Sequence, residues 1–451
     1  MEKDVDKLLA RAEKPLRVAP GLHRLYRGKI EVAPRCRVRD LHDFDVWYTP
    51  GVAAPCREIE QDEELVYEYT SKWNTVAVVS DGTRVLGLGD IGPKAALPVM
   101  EGKALLYKYL GGVDAYPLCL DTKDPDRFIE TVLLLHPALG GVNLEDIAQP
   151  KCFYILERLR RESPIPVWHD DQQGTAAVTL AGLLNALKLM GKELRDVKIV
   201  FMGAGAASIR VADLIFKAGA DPGRCRMYDS KGVLGTKRRD IEQDPDLYEK
   251  WAMCLRTNSD NDVRPIDEAL KGADVLIALS KPGPGTVQSD WIRGMAENSI
   301  VFACSNPVPE IWPWEAKEAG ARIVATGRSD FPNQVNNSLG FPGIFRGTLD
   351  VRATTITDEM CIEAAREIAR TAEDRGLSAD YIIPTMDEWE VFPREAVAVG
   401  MKAIEQGIAK KRYTREELFT VSETIIRETR DKTKLMMDRG FIKHIDDDVS
   451  S

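Results

Sequence analysis

An α/β fold is predicted for this chain, and three observations carry the prediction. Two separate stretches alternate short apolar strands with helices, the pattern of parallel sheets joined by right-handed crossovers. The second stretch opens on a strand, a glycine-rich turn and a helix. Beyond Gly347 every pattern is helical. At 451 residues the chain is too long for one ordinary core, so two or three domains are expected.

Composition narrows the class of function. Hydrophobic residues make up 44% and charged residues 29%, which is ordinary for a soluble globular protein. The net charge of −10 disfavours nucleic acid or an anionic membrane as the main partner, since both want a basic face. It leaves room for a small anionic substrate, which needs only local cations. No apolar run approaches the roughly 20 residues that span a bilayer. The N-terminus, MEKDVDKLLARAEK, lacks the apolar core of a signal peptide. Eight scattered cysteines form no CxxC pair, which indicates neither a zinc site nor a disulfide framework. They read as buried free thiols in a reducing cytoplasm, so a cytoplasmic location is expected.

Residues 1 to about 40 read as helical and then irregular, with the basic run Arg35 to Arg39 as a solvated loop or subunit contact. In DFDVWYTPGVAAPCREIE, Pro50 and Gly51 turn the chain and Pro55 fits the first turn of a helix. Tyr48 precedes that turn; taken alone it reads as a half-buried core tyrosine. TVAVVSDGTRVLGLGD reads as two strands joined at Asp81-Gly82. The helix GKALLYKYLGG follows, with Lys103 in its first turn, against the helix dipole. A surface lysine is the plain reading there. DAYPLCLD, GGVNLED and VWHDD are strands separated by the helices DPDRFIETVLLLHPAL and QPKCFYILERLRRE.

Ligands of parallel sheets sit beyond the carboxyl ends of the strands. Glu145 and Asp146 end one strand, and Asp170 and Asp171 end the next. Four acids on one edge repel one another, so a hard divalent cation is the simplest remedy. Helix N-cap carboxylates are the alternative for Asp146 and Asp171. The Ala- and Leu-rich helix from about Gly174 to Met190 is apolar nearly all round, hence buried.

The second block has strands VKIVFM, RCRMYD, DVLIALS, SIVFACS and RIVAT. Its turn, Gly203-Ala204-Gly205-Ala206-Ala207-Ser208, matches the first two glycines of the Rossmann dinucleotide fingerprint; Ser208 departs at the third. Asp229 ends the next strand, where a ribose diol is held, but Ser230 and Lys231 beside it favour a 2′-phosphate. Asn306 ends a later strand, and Asn336 and Asn337 lie in a long loop, suited to substrate carboxylates or to ordinary turns. The C-terminal helices are TDEMCIEAAREIARTAED, PREAVAVGMKAIEQGIAK and REELFTVSETIIRETRDKTKLMMDRG, and the tail IDDDVSS is expected to be disordered.

Together WYTPGVAAPC, SDGTRVLGLGDIG, LPVMEGKALLY, GGVNLEDIAQP, HDDQQGTAAVTLAGLLNAL, GAGAAS, DSKG, SNPVPEI and GRSDFPNQVNNSLGFPGI resemble the malic enzymes of short prokaryotic form. The resemblance implies three parts. These are an N-terminal substrate and metal domain (1–168), an NAD(P)-binding Rossmann domain (169–337), and C-terminal helices (338–451) packing back on the first. It implies oxidative decarboxylation of (S)-malate with NAD or NADP, Mg²⁺ or Mn²⁺, and a homodimer or higher homo-oligomer. By the same resemblance Lys103 is the general base, Tyr48 the general acid and Asp170 the acid supporting the lysine. Glu145, Asp146 and Asp171 are the metal ligands. Arg84 holds a substrate carboxylate, and Asn306 and Asn337 lie near substrate and nicotinamide. Gly203, Gly205, Ala206 and Asp229 bind the cofactor, with Ser230 and Lys231 tilting it towards NADP. The alternatives are a malolactic enzyme on the same scaffold and a non-catalytic dinucleotide-binding protein.

Overall fold

The computed structural model describes residues 2–328, 330–443 and 445, so the tail IDDDVSS lies outside the described residues apart from Ile445. Four strands form the first sheet: β1 (Thr75–Ser80), β2 (Asp114–Cys119), β3 (Gly141–Leu144) and β4 (Val167–His169). All are parallel, in the order β2-β1-β3-β4. Val79 pairs with Leu144, and Leu144 with His169, so β1, β3 and β4 end level with one another. Side chains that follow those ends must share one edge.

Two local expectations are corrected here. The stretch after Ser80 is a loop, not a second strand; Val85 and Gly89 make only an isolated bridge. Gly82 takes φ +68°, and a Cβ there would stand 2.4 Å from the Gly92 carbonyl. The amides of Ile91 and Gly92 both donate to the Gly82 carbonyl, so the segment closes on itself. Lys103 is not in a first turn either. Its helix runs Pro93–Gly111, with Pro98 inside it, because Met100, Ala104 and Tyr107 bury a continuous face.

The second sheet comprises β5 (Ile199–Met202), β6 (Arg226–Asp229), β7 (Gly232–Val233), β8 (Val275–Ala278), β9 (Ile300–Ala303) and β10 (Ile323–Thr326). Its order is β10-β9-β8-β5-β6-β7. The short β7, not anticipated from sequence, runs antiparallel to β6; the other pairs are parallel. The order reverses between β5 and β8, the switch point where such sheets take ligands.

The helix Thr175–Met190 joins the two sheets and is buried almost throughout, as its composition demands. Later helices close over the first sheet. Phe341–Asp350 and Arg415–Asp438 pack on Pro93–Gly111, while Asp358–Arg375 packs on Thr175–Met190. Polar anchors fix this return. Arg346, fully buried, lies 2.6 Å from Asp350 and donates to Asn74 at 2.5 Å, and the Ser422 hydroxyl donates to Asp350 at 2.7 Å. Removing one member would leave a buried charge unpaired. The Asn185 amide donates to the Ala369 and Ile382 carbonyls, both at 2.8 Å. The eight cysteines are free thiols, five of them buried. Among the described residues no helix is long and apolar enough to cross a membrane.

One buried acid works against this packing. Glu395 of the helix Val391–Glu405 is fully buried and neither carboxyl oxygen has a partner. Burial, and then the nearby Glu367, push its carboxyl well above the usual range. A raised folded-state value means that the group favours folding only at low pH. That contribution is lost as pH rises from the ordinary glutamate range through the raised value. Glu395→Gln is therefore expected to raise Tm at neutral pH and above, and to flatten its decline as pH rises out of the ordinary glutamate range. Thermal unfolding followed by circular dichroism checks this, and a variant with an unchanged pH slope contradicts it.

Candidate active site

The level strand ends gather four acids around one cation. Lys103 Nζ lies 2.5 Å from Asp170 Oδ2 and 3.0 Å from Glu145 Oε1, and 4.3 Å above the Phe341 ring. Lys103 is 8% exposed, Glu145 and Asp146 4% each, and Asp170 not at all. Asp171 is the opening: 37% of its side chain reaches solvent. Asn337 donates to Asp170 Oδ2 at 2.5 Å.

Local backbone explains how the acids are aimed. Asp170–Gly174 forms a π-helical turn between β4 and the helix Thr175–Met190, a distortion frequent at functional sites. Gly174 is required there, since a Cβ would stand 1.9 Å from Asp170 Oδ1. Asp146 takes φ +54°, a left-handed conformation that aspartate tolerates better than most residues. Its amide donates to Asp171 Oδ2 at 2.8 Å, which ties β3 to β4. Neither Asp146 nor Asp171 caps a helix, so the N-cap alternative falls.

Electrostatics follow from burial. Burial pushes Glu145, Asp146, Asp170 and Asp171 upwards, Asp146 to about 8; Lys103 pulls against it at all four, and neighbouring carboxylates add to it at Glu145, Asp146 and Asp170. Burial alone would lower Lys103, but Asp170 and then Glu145 outweigh it and raise it. His169 is buried with neither ring nitrogen bonded, its Nδ1 3.7 Å from Asp171, and burial pushes it down to about 3. As the side chains stand, no three or more His, Cys, Asp or Glu among the described residues are arranged to hold a metal ion.

Arg84 reaches the cluster through a stitched loop. Asp81 Oδ1 accepts from the Thr83 amide and hydroxyl, Lys151 donates to Asp81 Oδ2 at 2.5 Å, and the Arg84 amide donates to the Asp146 carbonyl. The Arg84 guanidinium is exposed, and its charge favours ionised Asp146 and Asp171. Asn306 is exposed on the facing lip, its carbonyl 3.0 Å from where a Gly87 Cβ would lie. Tyr48 is not brought in. It is 71% exposed, and among the described residues its ring touches no member of the cluster.

The glycine turn opens on the same cleft. Gly203 takes φ +115° with the Leu279 carbonyl 2.2 Å from its would-be Cβ, so only glycine fits. Gly205 precedes the helix Ala206–Lys217, whose amide end suits an anion. The only neighbour of its would-be Cβ is Gln149 Oε1 at 3.9 Å, from the acid-bearing loop. Ser208, at the third fingerprint position, is buried and its hydroxyl faces the Leu279 carbonyl at 3.4 Å. Asp229 is already occupied: Arg238 grips both its oxygens at 3.0 and 2.9 Å, and Lys250 lies 3.6 Å away. Lys231 gives its amide to Asp229 and its Nζ to Asp240, while among the described residues the Ser230 side chain has no hydrogen bond. Arg238, Lys250 and the buried Glu310 were missed in the sequence. Glu310 accepts from Ser280 and Ser305, pinning the loop that carries Asn306. Paired surface charges carry no sequence signature, but the acid in NPVPE three residues past a proline could have been noticed.

The match to known proteins is extensive. Residues 27–160 match the family model "Malic enzyme, N-terminal domain" and residues 172–404 match "Malic enzyme, NAD binding domain". A bifunctional malic/malolactic enzyme of Bacillus subtilis is 50% identical over 397 residues, covering 88% of this chain and 95% of that one. An NAD-dependent malic enzyme of Geobacillus stearothermophilus is 48% identical over 387 residues, 85% of this chain and 78% of that one, and other relatives are NADP-dependent malic enzymes. The crystal structure of Entamoeba histolytica malic enzyme superposes with a TM-score of 0.96 at 49% identity, covering 99% of this chain and 93% of that one. With both family models matched in order and the whole architecture shared, this chain belongs to the malic enzyme family.

Proposed function

We propose that this chain converts (S)-malate and NAD(P)⁺ to pyruvate, CO₂ and NAD(P)H. The observation that carries the reading is a buried lysine between two acids, at strand ends that face a dinucleotide turn. Hydride loss from C2 of malate requires its hydroxyl proton to leave, and Lys103 Nζ is the group assigned to take it. In the chain alone Lys103 is held as a cation, the reverse of what a base needs. Base function therefore requires the hold of Asp170 and Glu145 on its proton to weaken.

Glu145, Asp146 and Asp171 would hold Mg²⁺ or Mn²⁺. The donor set fits: all are hard oxygen donors, they repel one another, and Asp146 Oδ2 is buried without a partner. When bound there, the metal supplies Lewis acidity towards the substrate's oxygens. Arg84 offers a planar fork to a substrate carboxylate. Asp170 holds the lysine, and Asn337 holds Asp170. Tyr48 is assigned the proton for C3 of enolpyruvate.

Tyr48 lies in a segment that exposes Leu41, Phe44, Val46, Trp47 and Val52 as well. Such a run of apolar side chains marks an interaction surface, and supports a homodimer in which this face meets a second copy. We assign NADP as the preferred cofactor. Arg238 and Lys250 neutralise Asp229, and Arg238 and Lys231 share Asp240, so three cations face two carboxylates there, which supports a 2′-phosphate. Residues 1–168 with 338–451 form the substrate and metal side, and 169–337 the cofactor side. The bifunctional relative favours one second reading, malate to lactate without net NAD(P)H.

Absorbance at the reduced-nicotinamide band, with malate, Mn²⁺ and either cofactor and with pyruvate and lactate assayed at the end, tests the reaction. Reduced cofactor in step with pyruvate is expected; lactate without it establishes the second reading. Lys103→Ala should lower kcat by roughly 10²–10⁴ while cofactor still binds, and Asp171→Ala should abolish the response to Mn²⁺. Arg238→Ala should raise KM for NADP⁺ about tenfold and leave that for NAD⁺ nearly unchanged; equal effects on both refute the cofactor assignment. Mixing inactive Tyr48→Phe and Lys103→Ala chains should restore activity if Tyr48 serves a second copy's site, and a mixture as dead as its parts would exclude that arrangement.

A further inference from the structure

Lys103 and Tyr107 stand one turn apart on the helix Pro93–Gly111, and a closed ring of contacts leaves from one and returns to the other. Tyr107 Oη donates to Asn143 Oδ1 at 3.0 Å. Asn143 Nδ2 donates to Glu145 Oε2 at 2.8 Å. Glu145 Oε1 lies 3.0 Å from Lys103 Nζ. Every member is buried, Tyr107 and Asn143 completely. The Tyr107 ring is clamped by Phe341 and Phe345, at 4.6 and 5.3 Å between centroids, so its hydroxyl has one direction.

The donor pattern has a single consistent arrangement. An ionised carboxylate only accepts, so Asn143 must turn its NH₂ to Glu145 and its carbonyl to Tyr107. The reversed amide would set two acceptors against each other in a buried site, at the cost of an unmade hydrogen bond. Asn143 and Glu145 are two residues apart at the end of β3, which places both side chains on one face. One oxygen of Glu145 is thereby fixed on the amide. The other, Oε1, is left to face Lys103 and the cleft.

We infer that Tyr107 and Asn143 are positioning residues that make Glu145 present a single oxygen, Oε1, towards Lys103 and the cleft where a divalent metal would be held. This rests on the reading of Glu145 as a metal ligand. Partners that orient a ligating carboxylate commonly change metal affinity 10–100-fold when removed.

The test is Mn²⁺ binding to the full-length protein without malate, read from the electron paramagnetic resonance of free Mn²⁺. NADPH fluorescence serves as the check of fold. Tyr107→Phe keeps the ring and loses only the hydroxyl; it should raise the Mn²⁺ Kd about tenfold with NADPH binding unchanged. Asn143→Leu should raise it at least as much, and adding Tyr107→Phe to Asn143→Leu should cost little more, because the relay is already cut. Wild-type Mn²⁺ affinity in Tyr107→Phe and Asn143→Leu, with affinity lost in Glu145→Gln, overturns the inference and leaves the metal site standing. Wild-type affinity in Glu145→Gln overturns the metal-ligand reading and this inference with it.

Discussion

A single buried ammonium holds the centre of this protein together. Lys103 sits among carboxylates brought by two different strand ends, and it is the only cation that touches them inside the cluster among the described residues. Such an arrangement is costly to break, because a lost partner leaves buried charge unpaired. It therefore dictates the surroundings. The helix Pro93–Gly111 must carry the lysine inward past Pro98. β3 and β4 must end level, and Gly174 must lack a side chain so that Asp170 can turn back. Phe341 and Asn337 come from beyond the second sheet to complete the cage, which couples the C-terminal helices to the same point.

The rest of the cleft is graded by rigidity. Its floor is strand ends and buried hydrogen bonds. Its lips are loops: the segment after Ser80 that carries Arg84, and the turn after β9 that carries Asn306. The floor groups are fixed before any substrate arrives, which is what a proton-transfer geometry demands. The lip groups Arg84 and Asn306 are exposed. Glu310 shows how a lip is still limited, since its buried carboxylate ties the Asn306 loop to the end of β8. Gln149 beside Gly205 marks where floor and dinucleotide turn meet.

Much of this was legible in the sequence, for a physical reason. Buried parallel strands are short apolar runs, and acids just past them must share an edge, so β3, β4, β5 and β8 to β10 and the four carboxylates could be read directly. The glycine turn was legible because Gly203 has no alternative at its φ. Helix length was not: the helix read as starting at Gly102, whereas it begins at Pro93 and runs through Pro98, with Ala96 and Met100 buried along it. The loop after Ser80 read as a hairpin because its apolar residues suggest a strand, whereas its contact with Gly92 is invisible in one dimension. Tyr107 and Asn143 were missed because a satisfied buried amide and a core tyrosine look alike in sequence whether or not they serve a site. Tyr48 was flagged through its motif alone, and it stands 71% exposed, away from the cluster.

The charge states of the cluster carry one more step of reasoning. The lysine is pushed up and the acids are pushed up as well, and these opposite demands share a cause. That cause is the burial of several carboxylates together: burial keeps the acids from ionising, while Asp170 and Glu145, the two that touch the amine, hold its proton. Positive charge beside Glu145 would lower the acids and loosen one of the lysine's two carboxylate partners, leaving Asp170, the nearer at 2.5 Å, in place. For that exchange to act on Lys103, Glu145 must not swing away altogether. An anchor on one oxygen lets the other turn its charge from amine to cation over a short distance. The fixed Oε2 on Asn143 thus ties the aromatic clamp on Tyr107 to the carboxylate beside Lys103, two hydrogen bonds away.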